Sequence, residues 1–281
     1  MTAARDATAA ITGQPVRAAS PRSGIWVIEL GDGRTVVAKR GEPGQTLAEA
    51  AGLRWLRVPG GPPVPQVHGH DGRWLVTEYV PDGRTDDTAT EQLGRQLAAL
   101  HAAGAPAFGA PPPGGPQHAW IGTAPMANIT GPQWPQWYAE HRVLPYLRSA
   151  VGLGAVDPDG AHAVHQVCER INELAGPAEP PARLHGDLWS GNVHAGADGR
   201  VWLLDPAAHG GHRETDLAML ALFGLPHLDR LLAGYQDVAP LAPGWRQRVP
   251  LHQLFPLLVH AVLFGGGYGL HAAAAARAVL G

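Results

Sequence analysis

Cysteine is almost missing from this chain: of its 281 residues, only Cys168 carries a thiol. That excludes an internal disulfide framework and any zinc cluster built on cysteine. The 15 histidines show no H-E-x-x-H or comparable spacing, which argues against a histidine zinc site as well. Net charge is scarce too. Lys+Arg 21 against Asp+Glu 24 leaves −3, so a general electrostatic grip on nucleic acid or on an anionic membrane is not expected. No run approaches the roughly 18 apolar residues of a membrane span. The opening MTAARDATAAITG lacks the basic-then-apolar layout of a secretory leader, and no repeat recurs at a fixed period. These absences lead us to expect a cytoplasmic globular protein without nucleic-acid or membrane partners; they leave its oligomeric state open, with a monomer favoured.

Hydrophobic residues make up 45% of the chain, enough for a sizeable core. The 37 glycines and 27 prolines concentrate in loops, notably 59–65 and 104–116. The first twelve or so residues are small and polar and are expected to fray. Gly24–Leu30 and Thr35–Arg40 are β-rich runs joined through Gly31-Asp32-Gly33-Arg34, which predicts a hairpin. Leu47–Arg57 has helical spacing, and Arg73–Val80 has strand character. Beyond residue 80 the pattern changes. Leu93, Leu97 and Leu100 mark an amphipathic helix within Thr90–Ala103. Pro135–Ala150 and Ala161–Ala175 also predict helices, the second placing Cys168 on a core-facing stripe. Arg200–Leu204 predicts a strand, and the remaining third is helical. The fold class expected is α+β: a small β-rich lobe over 1–80 and a larger, mainly helical lobe over 81–281.

The densest chemistry lies in His185-Gly186-Asp187-Leu188-Trp189-Ser190-Gly191-Asn192, with Asp205 after a short strand. An Asp, an Asn five residues later and an Asp thirteen beyond that place three oxygen-bearing groups at one loop mouth. Phosphoryl transfer needs such a set: one carboxylate to take the acceptor hydroxyl's proton, and an amide oxygen and a second carboxylate to hold Mg²⁺. Protein kinases carry the comparable H-R-D-L-x-x-x-N and D-F-G pair, the second reading here as Asp205-Pro206-Ala207. Lys39 at the end of a predicted strand and Glu49 in the helix after it match the phosphate-contacting lysine and its positioning glutamate. Thr77-Glu78-Tyr79-Val80 falls where the two lobes would join, and its backbone is expected to meet an adenine edge.

On these residues the chain resembles the fructosamine kinase (ketosamine kinase) family, within the kinase-like group that also holds aminoglycoside and choline kinases. The segments carrying the resemblance are HGDLWSGN (185–192), DPAAHGGHRETDLAML (205–220) and AWIGTAPMAN (119–128), with Trp137 and Arg142, LAEAAGL (47–53) and LFPLLVHAVLFGGGY (254–268). They cover nearly the whole chain after about residue 24. The resemblance implies a protein-kinase-like two-lobe fold and ATP- and Mg²⁺-dependent phosphorylation of a ketosamine, such as a ribulosamine or fructosamine, at the third carbon of its sugar. The phosphorylated adduct then falls apart, which amounts to deglycation, and the acceptor would be a small ketosamine or a glycated protein amine. By the same resemblance Asp187 is the base, Asn192 and Asp205 are metal ligands, and Lys39 contacts phosphates while held by Glu49. Trp189 and His260 face the substrate. Asp216 braces the metal loop or caps a helix, with His212, Arg213 and Glu214 in the same supporting network.

Two departures stand out. The first hairpin reads Ala18-Ala19-Ser20-Pro21-Arg22-Ser23-Gly24 where relatives often have a glycine-rich stretch, so its backbone amides and the Ser23 hydroxyl are left to meet phosphates. That loop also has no cysteine, so a thiol switch there is not expected. Val259, Val262 and Leu263 stand where some relatives have polar residues, which predicts a less polar sugar pocket. Two other readings remain open. One is a kinase-like phosphotransferase acting on an aminoglycoside or other amino alcohol; the other is a nucleotide-binding scaffold without activity. An aminoglycoside site gathers acidic side chains, yet only Asp216, Asp229 and Asp237 follow Glu214. None of Lys39, Asp187, Asn192 or Asp205 is lost, as a scaffold would allow.

Overall fold

The structure, a computed structural model, describes residues 2–281. Strand period and helix period divide the chain as the sequence suggests. Five antiparallel strands form one sheet in the order β1-β2-β3-β5-β4: β1 (Val16–Arg22), β2 (Ile25–Leu30), β3 (Thr35–Arg40), β4 (Val67–His70) and β5 (Trp74–Glu78). Alternation decides its faces. Ile28, Leu30, Val36, Ala38 and Val76 are fully buried on one face, whereas Val37, Lys39, Leu75 and Thr77 border a cleft on the other.

The outer face is covered by α1 (Thr2–Thr12), which corrects the expectation of a frayed start. Ala4 and Thr8 are buried against the sheet, and Arg5 reaches the Val16 carbonyl at 2.9 Å. Gly13, at φ 67, ends the helix. Small side chains suffice here because the helix lies close on the sheet. Between β3 and β4, α2 (Gln45–Leu56) packs its Ala50, Leu53 and Leu56 face inward and carries Glu49 toward the cleft.

After β5 the chain is mostly helical. Asp86 caps α3 (Asp87–Ala102) through the Ala89 N–H at 2.8 Å. A short hairpin follows, β6 (His118–Ile121) and β7 (Ala124–Ala127). The helix expected over 135–150 is broken into α4 (Trp134–Tyr138), a π turn over Ala139–Val143 and α5 (Leu144–Gly152). The helix expected over 161–175 is α6 (Pro158–Glu169) and α7 (Ile171–Leu174). Cys168 is partly buried against the same core, and burial pushes its thiol up to about 12.

Two short ladders frame the segment from His185 to Asn192. One joins β8 (Ala182–Leu184) to β11 (His209–Gly211), and the other β9 (Val193–Ala195) to β10 (Val201–Leu203). The last four helices are α8 (Arg213–Leu222), α9 (Leu228–Val238), α10 (Trp245–Phe264) and α11 (Tyr268–Leu280). A core of Leu251, Leu254, Phe255, Leu258 and their neighbours surrounds α10. Another joins α2, α3, α8 and α9. No helix among the described residues is long and apolar enough to cross a membrane.

Candidate active site

The β8–β11 ladder delivers the chain to His185, and from there to Trp189 the loop is held from behind. Asp216, on α8, accepts the backbone N–H of His185 at 2.8 Å and of Gly186 at 3.0 Å. It also meets His101 Nε2 at 3.2 Å, and His101 Nδ1 meets the Tyr235 hydroxyl at 2.9 Å. Burial alone would raise the Asp216 carboxyl, but the hydrogen bonds and charges around it hold it below the usual range. Gly186 has φ 82, and a Cβ there would lie 2.2 Å from the Ala207 carbonyl oxygen, so this turn needs glycine. The His185 ring, kept neutral by burial, meets the Leu204 carbonyl at 2.8 Å and ties the loop to the segment leading to Asp205.

Asp187 therefore emerges at a fixed point. Asn192 Nδ2 donates to the Asp187 carbonyl at 2.8 Å and to its carboxylate at 3.2 Å, locking side chain to loop. Burial pushes the Asp187 carboxyl up to about 6, against the lowering hydrogen bond from Asn192. Across the cleft, Lys39 Nζ lies 3.0 Å from Glu49 and 2.9 Å from Asp205. Burial disfavours the ammonium, but the two carboxylates outweigh it and hold Lys39 above the usual lysine range. Burial likewise pushes Glu49 up to about 7. Asp205 is exposed and sits at φ 50, a left-handed conformation that a non-glycine residue keeps only where its surroundings impose it.

The donor set suits a hard divalent cation. With its amide nitrogen engaged by Asp187, Asn192 keeps its oxygen unbonded. Asp205 has one carboxylate oxygen beyond the lysine contact, so both residues offer oxygens of the kind Mg²⁺ takes.

Two cavities meet at this centre. One of about 440 Å³ lies under the sheet, lined by Ser23, Val37, Lys39, Leu75, Glu78, Tyr79, Val80 and Asp205. The expected donor-side residues are thus brought together, though not all by their backbones. The Glu78 N–H donates to the Gln66 carbonyl, its carboxylate accepts the Gln66 N–H, and the Val80 carbonyl meets His194. Arg22, at the tip of the first hairpin, reaches over to Tyr79 at 3.1 Å and Asp82 at 2.8 Å.

The other cavity, about 410 Å³, is lined by Asp187, Trp189, Asn192, Lys39, Glu49 and Asp205, with Trp120, Thr123 and Asn128 opposite. Trp189 borders it, 38% exposed. His260 does not: it packs on Phe223, ring centroids 4.7 Å apart, with Nδ1 on the Pro256 carbonyl. Val259 is buried in the α10 core, so it does not set the pocket's polarity.

Sequence reasoning missed the β6–β7 hairpin as a cavity wall. The pointer was Arg142, quoted there only as part of a pattern. It is buried, donates to the Ala127 carbonyl at 2.8 Å and Asn128 Oδ1 at 3.3 Å, and lies over the Trp137 ring. The supporting network also divides. Arg213 pairs with Glu179 and Glu214 with Arg248, each at 2.6 Å, while only Asp216 reaches the His185–Asn192 loop.

Comparison with known proteins agrees with this geometry. A family model described as fructosamine kinase matches residues 37–281. A ketoamine kinase candidate of Synechocystis is 37% identical over 236 residues, covering 79% of this chain and 74% of that protein. A chloroplastic protein-ribulosamine 3-kinase of Oryza sativa is 32% identical over 203 residues, covering 70% and 56%. The crystal structure of a fructosamine-3-kinase candidate from Thermobifida fusca superposes with a TM-score of 0.94 at 46% identity, covering 100% of this chain and 99% of that one. In fold alone, a choline kinase of Streptococcus pneumoniae aligns at a TM-score of 0.62 and 14% identity over 94% of each chain. The fold is the protein-kinase-like two-lobe fold.

Proposed function

The chain belongs to the fructosamine kinase family, and from that premise we propose how its residues phosphorylate a ketosamine. The observation that carries the reading is the meeting of two cavities at Lys39, Glu49 and Asp205, with Asp187 on the acceptor side only. ATP is the phosphate donor that kinase-like folds use. In this reading the part of the chain through residue 80 binds it beneath the sheet, and residues 81–281 supply the base and most of the acceptor cavity. Lys39, positioned by Glu49, contacts the phosphates. Asn192 and Asp205 hold Mg²⁺, which when bound offsets charge on the transferring phosphoryl group.

The acceptor sugar lies in the second cavity with one hydroxyl, that of its third carbon, against Asp187. As the new O–P bond forms and the bond to the ADP leaving group breaks, the hydroxyl proton passes to the Asp187 carboxylate. Trp189 offers its ring to the apolar face of the sugar. Beyond the reacting set of Glu49, Asp187 and Asp205, the cavity lining contains no carboxylate. That supports a ketosamine over a polycationic aminoglycoside. Breakdown of the phosphorylated adduct, with inorganic phosphate leaving the third carbon and water then releasing the amine, would make the overall outcome deglycation of a small or protein-bound amine.

The test is ATP consumption with ribulosamine, fructosamine, erythrulosamine and aminoglycoside acceptors. Turnover of a ketosamine is expected, and turnover of an aminoglycoside alone would overturn the reading. Asp187→Asn is expected to keep ATP binding while kcat falls by about 10³ or more. Near-normal turnover in that variant would remove Asp187 from the role of base.

A further inference from the structure

The aromatic surface at the acceptor cavity continues past its rim. From Trp189 the rings run outward: Trp189 lies edge-on to Phe223 at 6.0 Å, and Phe223 faces His260 at 4.7 Å. His260 in turn meets Tyr268 at 5.1 Å and Phe264 at 5.4 Å. Phe264, the last residue of α10, is 66% exposed, a large apolar side chain left in water at the outer end of this series of rings. This end of α10 abuts the cavity's far wall, since a Cβ at Gly122 in the β6–β7 turn would lie 3.4 Å from Leu263.

Two further observations describe the ridge. Between Arg248 and Arg277 the sequence contains no Asp, Glu, Lys or Arg, so the ridge has no formal charge of its own. The turn after Phe264 is Gly265-Gly266-Gly267, and a Cβ built at any of the three would meet nothing within 4 Å. Gly265 and Gly266 have left-handed φ values of 61 and 58 and so need glycine for their backbone; Gly267, at φ −77, does not. The space beside this turn, between Phe264 and Tyr268 in the chain, is open.

We propose that this ridge receives the substituent carried on the acceptor's amine nitrogen and selects apolar, above all aromatic, substituents. The inference rests on the ketosamine reading. With the sugar hydroxyl at Asp187, the amine end must leave the cavity, and Trp189 is the side chain shared by cavity and ridge. An aromatic substituent laid on these rings removes apolar area from water on both sides. A carboxylate or ammonium in the same place loses hydration and finds no counter-charge among the ridge residues themselves. The ammonium next to the sugar is itself suited to the Trp189 face.

The experiment compares two ketosamines sharing one sugar, made from benzylamine and from glycine, with the wild-type protein and Phe264→Ser. The wild type is expected to favour the benzyl compound about tenfold in kcat/KM, expressed mainly in KM. Phe264→Ser should bring that ratio toward one at unchanged melting temperature. Equal efficiencies in the wild type, or a ratio untouched by Phe264→Ser, would overturn the ridge alone. Turnover of neither compound would overturn the ketosamine reading and the ridge with it. Sedimentation at assay concentration covers the remaining occupant: a wild-type dimer that Phe264→Ser dissociates, with the ratio unchanged, would assign the ridge to a second copy and overturn the proposal.

Discussion

Lys39 and Asp205, 166 residues apart in sequence, hold each other at 2.9 Å across the cleft. The pair means that a residue proposed for phosphate and one proposed for metal are already poised at the same point before either ligand arrives.

Asp205→Asn follows from that pairing. Asparagine tolerates the left-handed backbone at φ 50, so the loop keeps its shape while one charge disappears. Nucleotide affinity in the presence of Mg²⁺ should weaken by about 10- to 100-fold, the cost of losing a charged contact. Affinity measured with EDTA should change little. Titration calorimetry under both conditions checks this, and an unchanged metal dependence would count against Asp205 as a ligand.

Asp216→Asn tests the brace behind the loop. An amide group in place of one oxygen cannot accept both the His185 and Gly186 N–H groups, so one buried donor loses its partner. A loss of about 1–3 kcal/mol in urea unfolding is expected. Because Asp187 hangs from this turn, kcat should drop more than nucleotide affinity does. A variant that is less stable but fully active would reduce Asp216 to a purely structural residue.

Gly94→Ala should reverse the usual effect of alanine in a helix, which is to stabilise by up to about 1 kcal/mol. A Cβ at Gly94 on α3 would lie 2.0 Å from the Leu231 carbonyl oxygen and 2.8 Å from the Tyr235 nitrogen of α9. Gly234 on α9 faces the Glu91 carbonyl oxygen as closely, at 2.1 Å. The two helices touch backbone to backbone, so overpacking of about 1–3 kcal/mol is expected. Denaturant midpoints at equal m-value decide the sign.

Buried histidines set the acid limit. Burial holds His185, His209, His212 and His252 below their ordinary value of 6.5, His209 down to about 3. Below pH 6.5 the unfolded chain takes up protons that the folded chain refuses, so stability falls as pH falls. For His209 the loss continues until about pH 3 and amounts to roughly 2 kcal/mol by pH 5. Unfolding free energies at pH 7.5 and 5 should therefore differ less in His209→Gln than in the wild type. Equal slopes would mean that His209 takes up its proton as readily in the fold as in the unfolded chain, and would count against burial holding it neutral.

What could be read from the sequence was whatever its neighbours in the chain determine. The hairpin of β2 and β3, the leucine stripe of α3 and the spacing of Asp187, Asn192 and Asp205 are local patterns, and the structure places them accordingly. The first helix was hidden because TAARDATAAIT has almost no large apolar residue; it is held by Ala4 and Thr8 fitting a sheet built from residues further on. β1 was hidden by Ser20 and Pro21, which an edge strand accepts and an inner strand does not. Trp120 and Thr123 line the cavity on a hairpin held by Arg142, within the π turn, on the Ala127 carbonyl and by the Tyr146 hydroxyl on that of Pro125, contacts that no periodicity announces. Resemblance alone places His260 at the sugar, and the fold turns it out of the acceptor cavity onto Phe223.

The two cavities share Lys39, Glu49, Leu75 and Asp205, but one is rimmed by the hairpin tip at Arg22 and Ser23, the other by the turn at Gly122 and Thr123. Separate doorways to one junction have a kinetic meaning. Neither ligand blocks the other's way in, and no covalent relay is needed to carry the phosphoryl group between them. Initial-rate lines should intersect, and dead-end inhibitors of each doorway should be competitive with one substrate and noncompetitive with the other.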